Sequence, residues 1–437
     1  MSRRGSFVCG LAVACSGARE PAMPSPRGDI LLVTIETTRA DHVGPLYGHR
    51  RATFPKLSAR AASGRVYTRA FSASSWTLPS IVSIYTGLSP LQHTVDRIER
   101  QLPQLDRPRL GHALEDRGYE VAFFGVNPVF TVDRGLAADG AHWQAEVGWP
   151  AGQVNQAVFG WLEQRSNPQK PLFLHVHYFD PHCPYIPPAR ALQQLTPPES
   201  APDRAASQHA GTPQGLPAKV PAERYPELGG CYGLRQEDGS PELDLAVYRH
   251  RYDGELRSVD EALDRLLVRL AERGIGGPND LVVVTSDHGE AFWEHDDYGH
   301  SHTLWGETTW VPLVVWGAGT GTSSEPVGLV GLYGSLLAHA GVSAEPTLSS
   351  ATAFSQGTRA GGSPWMAWVT KGTKWMSDGQ RAWVSDLRTD PLDAHTQPAE
   401  MTVPPALQAQ LNAAAPPAPL QPTEEELQRL RALGYTL

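Results

Sequence analysis

The chain has 437 residues, 41% hydrophobic and 19% charged, enough apolar surface for one large core or a large and a small domain. Its 46 acidic against 37 basic residues give a formal charge of -9, which leaves no electrostatic footprint for nucleic acid. An anionic substrate remains compatible with that charge if a metal concentrates positive charge locally.

The N-terminus carries Arg3 and Arg4, then a short apolar run from Phe7 to Ala14, then Cys15. That pattern predicts an export signal, with lipid attachment at Cys15 as in a bacterial lipoprotein; the run is too short to span a bilayer. No later segment is long and apolar enough to cross a membrane, so membrane contact is expected only through an anchor. The predicted location is the periplasm or the outer-membrane surface of a bacterium. Residues 18–28, with Pro21, Pro24 and Pro26, read as a linker.

Residues 29–35 form a nearly continuous apolar run, the mark of a strand buried on both faces. It ends in Glu36, Arg39 and Asp41, and ligands in open α/β sheets collect at such strand ends. A helix over 53–63 and a short strand over 64–71 lead to Ser74–Gly87. There Leu78, Ile81, Val82 and Tyr85 recur at helical spacing, Pro79 falls in the first turn, and Thr77 is the expected cap or precedes it. A hydroxyl at a helix start lies near free amides and the positive end of the dipole, a setting suited to an anionic ester.

A helix over 108–117 ends at Gly118 and feeds a buried strand over 119–126. A helix over 156–162 precedes a strand over 171–177, which runs into Asp180 and His182. His175 and His177 sit inside that apolar run, where a histidine is usually a satisfied core group; His177, at the strand end, keeps a small functional claim. Residues 187–240 are rich in Pro, Gly and Ala and read as a long irregular excursion over the active face. A long helix over 243–273 has Leu256, Val259, Leu263, Leu266, Leu267 and Leu270 on its apolar face. The clearest buried strand, 280–286, is followed at once by Asp287, His288, Gly289 and Glu290; another strand covers 311–316.

Alternating strands and helices predict a three-layer α/β domain. Beyond residue 360, runs at 365–370, 374–376 and 381–387 around a Lys371-Gly372 turn predict a small antiparallel sheet. The domain plan is a leader and linker over 1–28, a catalytic domain over 29–345, a small sheet subdomain over 346–395, and a Pro/Ala-rich linker with a last helix over 396–437. Four cysteines do not make a disulfide framework; Cys183 and Cys231 either pair or stay as thiols.

Three polar groups thus end three buried strands. A hard divalent cation, zinc, manganese or calcium, accepts carboxylate oxygen and imidazole. Glu36, Asp287 and His288 are candidate ligands with the Thr77 oxygen as a fourth, and such an ion lowers the pKa of a hydroxyl that must attack.

From about Asp29 to Leu437 the sequence resembles the sulfatase-like branch of the alkaline phosphatase superfamily. The likeness rests on Glu36 to His42, on Thr77 to Gly87 in place of the sulfatase Cys-x-Pro-Ser-Arg motif, and on Asp180-Pro181-His182. It also rests on Ser286 to Glu290, on Gly299 to Leu304, and on Asp386-Leu387, Asp390-Pro391 and Leu430 to Tyr435. The resemblance implies an alkaline-phosphatase-like sandwich with a mostly parallel central sheet. It implies one divalent metal on Glu36, Thr77, Asp287 and His288, Thr77 as nucleophile, His182 and His300 as substrate or leaving-group contacts, and Arg39 orienting Glu36 or the anion. Threonine cannot give the formylglycine of sulfatases, and Ile81 replaces the motif arginine, so a formylglycine mechanism is not expected. The set Glu, Thr, Asp, His is similar to that of phosphoethanolamine and glycerol-phosphate transferases, which carry membrane helices. The expected function is a metal-dependent hydrolase of a sulfate, phosphate or phosphonate ester on a small molecule, glycan or lipid. The alternatives are a phospho-group transferase acting on envelope lipid or glycan and a non-catalytic glycan binder; the oligomeric state is left open.

Overall fold

The computed structural model describes residues 28–48, 51–98, 100–131, 134–195, 219–225, 232–348, 352–358, 364–378, 380–400, 418–419, 423–424 and 427–428. The export leader, Cys231, most of the excursion and most of the last helix lie outside the described residues. Among the described residues, no helix is long and apolar enough to cross a membrane.

Eight strands form the central sheet: β1 (Ile30–Ile35), β2 (Arg65–Tyr67), β3 (Glu120–Gly125), β4 (His142–Ala145), β5 (Leu172–Tyr178), β6 (Leu281–Ser286), β7 (Leu313–Trp316) and β8 (Gly321–Ser323). Their order is β8-β2-β7-β6-β1-β5-β3-β4. From β6 to β4 the pairs are parallel, and β7 enters antiparallel to both β6 and β2. Strands β1, β5 and β6 are buried at every residue, as their mainly apolar runs require.

Each face of the sheet has its own core. On one face, Leu31, Val33 and Ile35 pack against Tyr252, Leu256, Val259, Leu263 and Leu266 of the long helix Leu245–Ala271. On the other, Ile30, Leu32 and Phe173 meet Leu78, Ile81, Val82 and Tyr85 of helix α1 (Thr77–Thr86) and Leu332 and Leu336 of helix α2 (Leu332–His339). This is the expected three-layer sandwich. Pro312, which has no amide to give a ladder, divides the expected strand 311–316 into Trp310–Val311 and β7. β4 was not expected, because His142–Ala145 is half-buried at the sheet edge and shows no apolar alternation.

The C-terminal sheet is wholly antiparallel, with five strands in chain order: β9 (Thr352–Thr358), β10 (Pro364–Thr370), β11 (Thr373–Ser377), β12 (Ala382–Asp386) and β13 (Gln397–Pro398). Trp365 and Trp383 stack across it with ring centroids 5.5 Å apart, and both pack edge-on to Trp305 of the main domain. Lys374, only 1% exposed, donates to Leu304 O at 2.5 Å, Thr309 Oγ1 at 3.3 Å and Asp393 Oδ2 at 2.5 Å.

Candidate active site

Register places the site. Ile35 pairs with both Tyr178 and Ser286, so β1, β5 and β6 end at one level. Glu36 and the Asp287-His288 pair therefore leave the sheet side by side. The Ser286 hydroxyl ties the strand ends together, lying 2.6 Å from both Ile35 O and His288 O, with its one proton for either carbonyl.

Helix α1 brings Thr77 to this edge. Trp76 is its cap residue, Thr77 its first helical residue, and no side chain caps it. The Thr77 hydroxyl is thus released from the capping role expected of it. It donates to Glu36 Oε1 and lies 3.3 Å from His288 Nε2. Every residue of the helix is buried, and Gly87 ends it at φ 66°, where a Cβ would also meet the Tyr333 ring at 2.6 Å.

Glu36 accepts further hydrogen bonds from His177 Nε2 at 2.5 Å and from Asn127 Nδ2, 3.1 Å from Oε1 and 3.2 Å from Oε2. Asp287 Oδ1 accepts from the backbone amides of Thr37 at 3.2 Å and His288 at 2.9 Å. Asp287 Oδ2 has no hydrogen-bond partner among the described residues, and neither does the buried hydroxyl of Thr37, the residue after Glu36. His288 Nδ1 lies 2.8 Å from Gly289 O, and a carbonyl only accepts, so Nδ1 carries a proton. Its Nε2 faces Thr77, Asp287 Oδ2 at 3.4 Å and Glu36 Oε1 at 3.6 Å. One ligating atom each from Glu36, His177 and Asp287 lies within 4.8 Å of the others, and all three residues are fully buried.

Burial works against charge on Glu36, yet hydrogen bonds from His177 and His288 carry it well below the usual carboxylate range. Asp287 goes the other way, pushed up to about 6 by burial and by the Glu36 charge. Burial opposes charge on His288 as well, but Asp287 and Glu36 raise it to about 9. Two buried carboxylates drawing a proton onto the imidazole between them, with one carboxylate oxygen lacking a hydrogen bond, is a donor set that fits a divalent cation.

A second row lies behind this group. His300 stands with its ring 4.5 Å from His288 and 5.0 Å from His182. Its Nδ1 contacts Glu290 Oε1 at 3.0 Å and the Tyr232 hydroxyl at 3.1 Å, while Tyr185 donates to Glu290 Oε2 at 2.8 Å. Burial, reinforced by His300, lowers His182 to about 4; burial and His288 hold His300 well below its ordinary value.

Arg39 is not brought to Glu36 or to the space before Thr77, where sequence reasoning put it. Its guanidinium grips Asp41 at 3.0 and 2.8 Å and donates to Glu294 at 2.6 Å and Glu290 O at 3.0 Å. A planar fork already matched to a carboxylate holds the loop after β1 rather than a substrate.

Sequence reasoning missed Asn127 and gave little weight to His177. Asn127 follows β3 at the same sheet edge, with its Oδ1 fixed by the Val129 amide at 3.0 Å; the strand-end rule applied to a lone amide would have found it. His177 pairs with Thr34 in the register, so its side chain shares a face with Thr34 two residues before Glu36. Cys183, next to His182, is disulfide-bonded, and its partner lies outside the described residues.

The family model described as Sulfatase matches residues 29–342. Among curated proteins, a multifunctional alkaline phosphatase superfamily protein, PehA, of Trinickia caryophylli is 23% identical over 365 residues, covering 67% of this chain and 69% of that protein. A delta 4,5-hexuronate-2-O-sulfatase of Bacteroides thetaiotaomicron is 23% identical over 343 residues, 72% of this chain and 67% of that protein. Among solved structures, the phosphonate monoester hydrolase of Agrobacterium radiobacter superposes with a TM-score of 0.64 at 19% identity, covering 84% of this chain and 91% of that one.

Proposed function

The chain belongs to the sulfatase family, a branch of the alkaline-phosphatase-superfamily hydrolases, and from that premise we propose that it hydrolyses a sulfate, phosphate or phosphonate ester with Thr77 as its nucleophile. The observation that carries this reading is the Thr77 hydroxyl, buried at a helix start and donating to Glu36 beside His288.

Glu36, Thr77, Asp287 and His288 would hold one divalent ion, zinc, manganese or calcium. That ion supplies a lowered hydroxyl pKa and neutralises charge on the transferring group. The residues do the rest. Thr77 Oγ1 forms a bond to the central sulfur or phosphorus as its proton passes to Glu36 Oε1. The bond to the alcohol oxygen breaks, and an equivalent proton ends on the released alcohol. Water then cleaves the threonine ester, restoring the hydroxyl and releasing the inorganic or phosphonic acid. His182 and His300 are held neutral by burial and would contact the ester's non-bridging and leaving oxygens; with the one N–H of His182 given to Cys183 O, its Nε2 meets them as an acceptor.

Threonine, and neither cysteine nor serine, stands at position 77, and it cannot give the formylglycine aldehyde, so that route is not the one proposed. The disulfide at Cys183 supports an oxidising compartment, in keeping with export to the periplasm or attachment there as a lipoprotein.

The test is a hydrolysis panel of sulfate, phosphate monoester, phosphate diester and phosphonate substrates with zinc, manganese or calcium. Turnover by the wild type that Thr77→Ala abolishes supports the reading. Equal turnover by both proteins overturns the nucleophile.

A further inference from the structure

The proposed reaction uses Glu36 but none of the buried groups behind it. Those groups form one continuous chain. His177 Nε2 meets Glu36 Oε2 at 2.5 Å, and His177 Nδ1 meets Thr34 Oγ1 at 2.7 Å. Thr34 Oγ1 meets His175 Nε2 at 2.9 Å, and His175 Nδ1 meets the Tyr85 hydroxyl at 2.8 Å. Thr34, His175 and His177 are fully buried and Tyr85 is 1% exposed, so no solvent can complete the bonding. Aromatic rings flank the imidazoles: Phe123 stands edge-on to His175 at 5.1 Å and Phe130 to His177 at 5.0 Å.

In such a chain each link has one proton to give, so the direction at one end fixes every other. Glu36 is the end that only accepts. The Asn127 amide, oriented by its Oδ1 bond to the Val129 amide, donates to both carboxylate oxygens, and Thr77 donates to one of them. His177 Nε2 must then donate. A neutral His177 presents a bare Nδ1, so the Thr34 hydroxyl donates to it. Thr34 oxygen accepts from His175 Nε2–H, and the bare His175 Nδ1 accepts from Tyr85. Every donor finds an acceptor.

Metal ligation through His177 Nε2 demands the reverse. The proton moves to His177 Nδ1, Thr34 turns to His175 Nε2, and His175 Nδ1–H points at Tyr85. The Tyr85 hydroxyl proton then has no acceptor among the described residues, an arrangement buried polar groups avoid. Burial also holds His175 well below its ordinary value, in keeping with a neutral ring.

We propose that Tyr85, His175 and Thr34 are positioning residues that fix His177 as a hydrogen-bond donor to Glu36, so that His177 orients a metal-binding carboxylate and is not itself a ligand. This rests on the reading of Glu36, Thr77, Asp287 and His288 as the metal set. The chain also closes a ring, because Thr77 and Tyr85 belong to the same helix. The nucleophile and the carboxylate it donates to are thereby set against each other through one rigid element, before any ion arrives.

The test measures zinc affinity of the full chain by competition with a chromophoric chelator, together with nitrogen-15 spectra of histidine-labelled wild type. Asp287→Asn reports on the metal site alone: loss of zinc binding upholds that site, and unchanged binding overturns it whatever the other variants do. With the site upheld, Tyr85→Phe and Thr34→Val should weaken zinc binding by about 10- to 100-fold, with Thr34→Ser restoring it. His177→Gln, which keeps a donor for Glu36 and loses the imidazole ligand, should stay within a few-fold of wild type. The wild-type spectra should show His175 and His177 protonated on Nε2 both without and with zinc. A loss in His177→Gln as deep as in Asp287→Asn, or His177 protonated on Nδ1 in the zinc-loaded protein, overturns the proposal. The spectra decide the matter even if a core variant fails to fold.

Discussion

Lys374→Met is the perturbation whose cost the structure defines most closely. The ammonium is 1% exposed and bridges the C-terminal sheet to the main domain through Leu304 O, Thr309 Oγ1 and Asp393 Oδ2. Methionine has nearly the same length, so little cavity forms. What remains is an unpaired buried carboxylate on Asp393, while Leu304 O keeps only the Thr309 hydroxyl, 3.3 Å away. Breaking one partner of a buried ion pair costs about 3–5 kcal/mol. Asp393 already has one oxygen without a hydrogen bond and a φ of 60°, a conformation asparagine adopts readily. Adding Asp393→Asn removes the stranded charge and should recover at least half of the loss. The assay is urea unfolding followed by tryptophan fluorescence, since Trp305, Trp365 and Trp383 meet at this junction. A single variant within about 1 kcal/mol of wild type would show that the junction does not depend on this pair. A double variant no better than the single one would show that the stranded charge is not the cause.

Other expectations follow from the same geometry. Asn127→Ala removes donors to Glu36 and Thr77 and should lower kcat/KM by about 10- to 100-fold while the fold persists, read by steady-state kinetics and circular dichroism. Asn127→Asp should be worse, because it sets a second negative charge against Glu36. Burial, with Asp180 second, raises Glu255 from 4.5 to about 8, so its contribution is present below pH 4.5 and is lost as pH rises through 8. Glu255→Gln, which keeps an acceptor for the Ile186 amide, should therefore match wild type near pH 4.5 and exceed its Tm increasingly toward pH 8. Stripping divalent ions with a chelator should lower Tm, and zinc at about 100 times its Kd should restore about 2.7 kcal/mol, measured by calorimetry.

Much of the fold was legible because burial on both faces writes β1, β5 and β6 as mainly apolar runs. Ionisable residues directly after such runs, Glu36, Asp287 and His288, stood out for the same reason. His177 did not, since an imidazole inside an apolar strand looks like any core histidine until the register sets it opposite Thr34. Asn127 carries no charge and stands alone. Arg39 was misplaced because Glu294, one of its two carboxylate partners, lies 255 residues along the chain, a pairing no local pattern encodes. The half-buried edge strand β4 left no periodic trace.

Covalent catalysis requires an ester on Thr77 during turnover. The most direct measurement is rapid acid quenching of the metal-loaded protein with an active ester substrate, followed by peptide mass spectrometry. One sulfuryl, phosphoryl or phosphonyl group is expected on the peptide containing Thr77, absent from Thr77→Ala and from protein quenched without substrate. Substrate turnover with that peptide unmodified at every quench time, or a group captured on another residue, would contradict it.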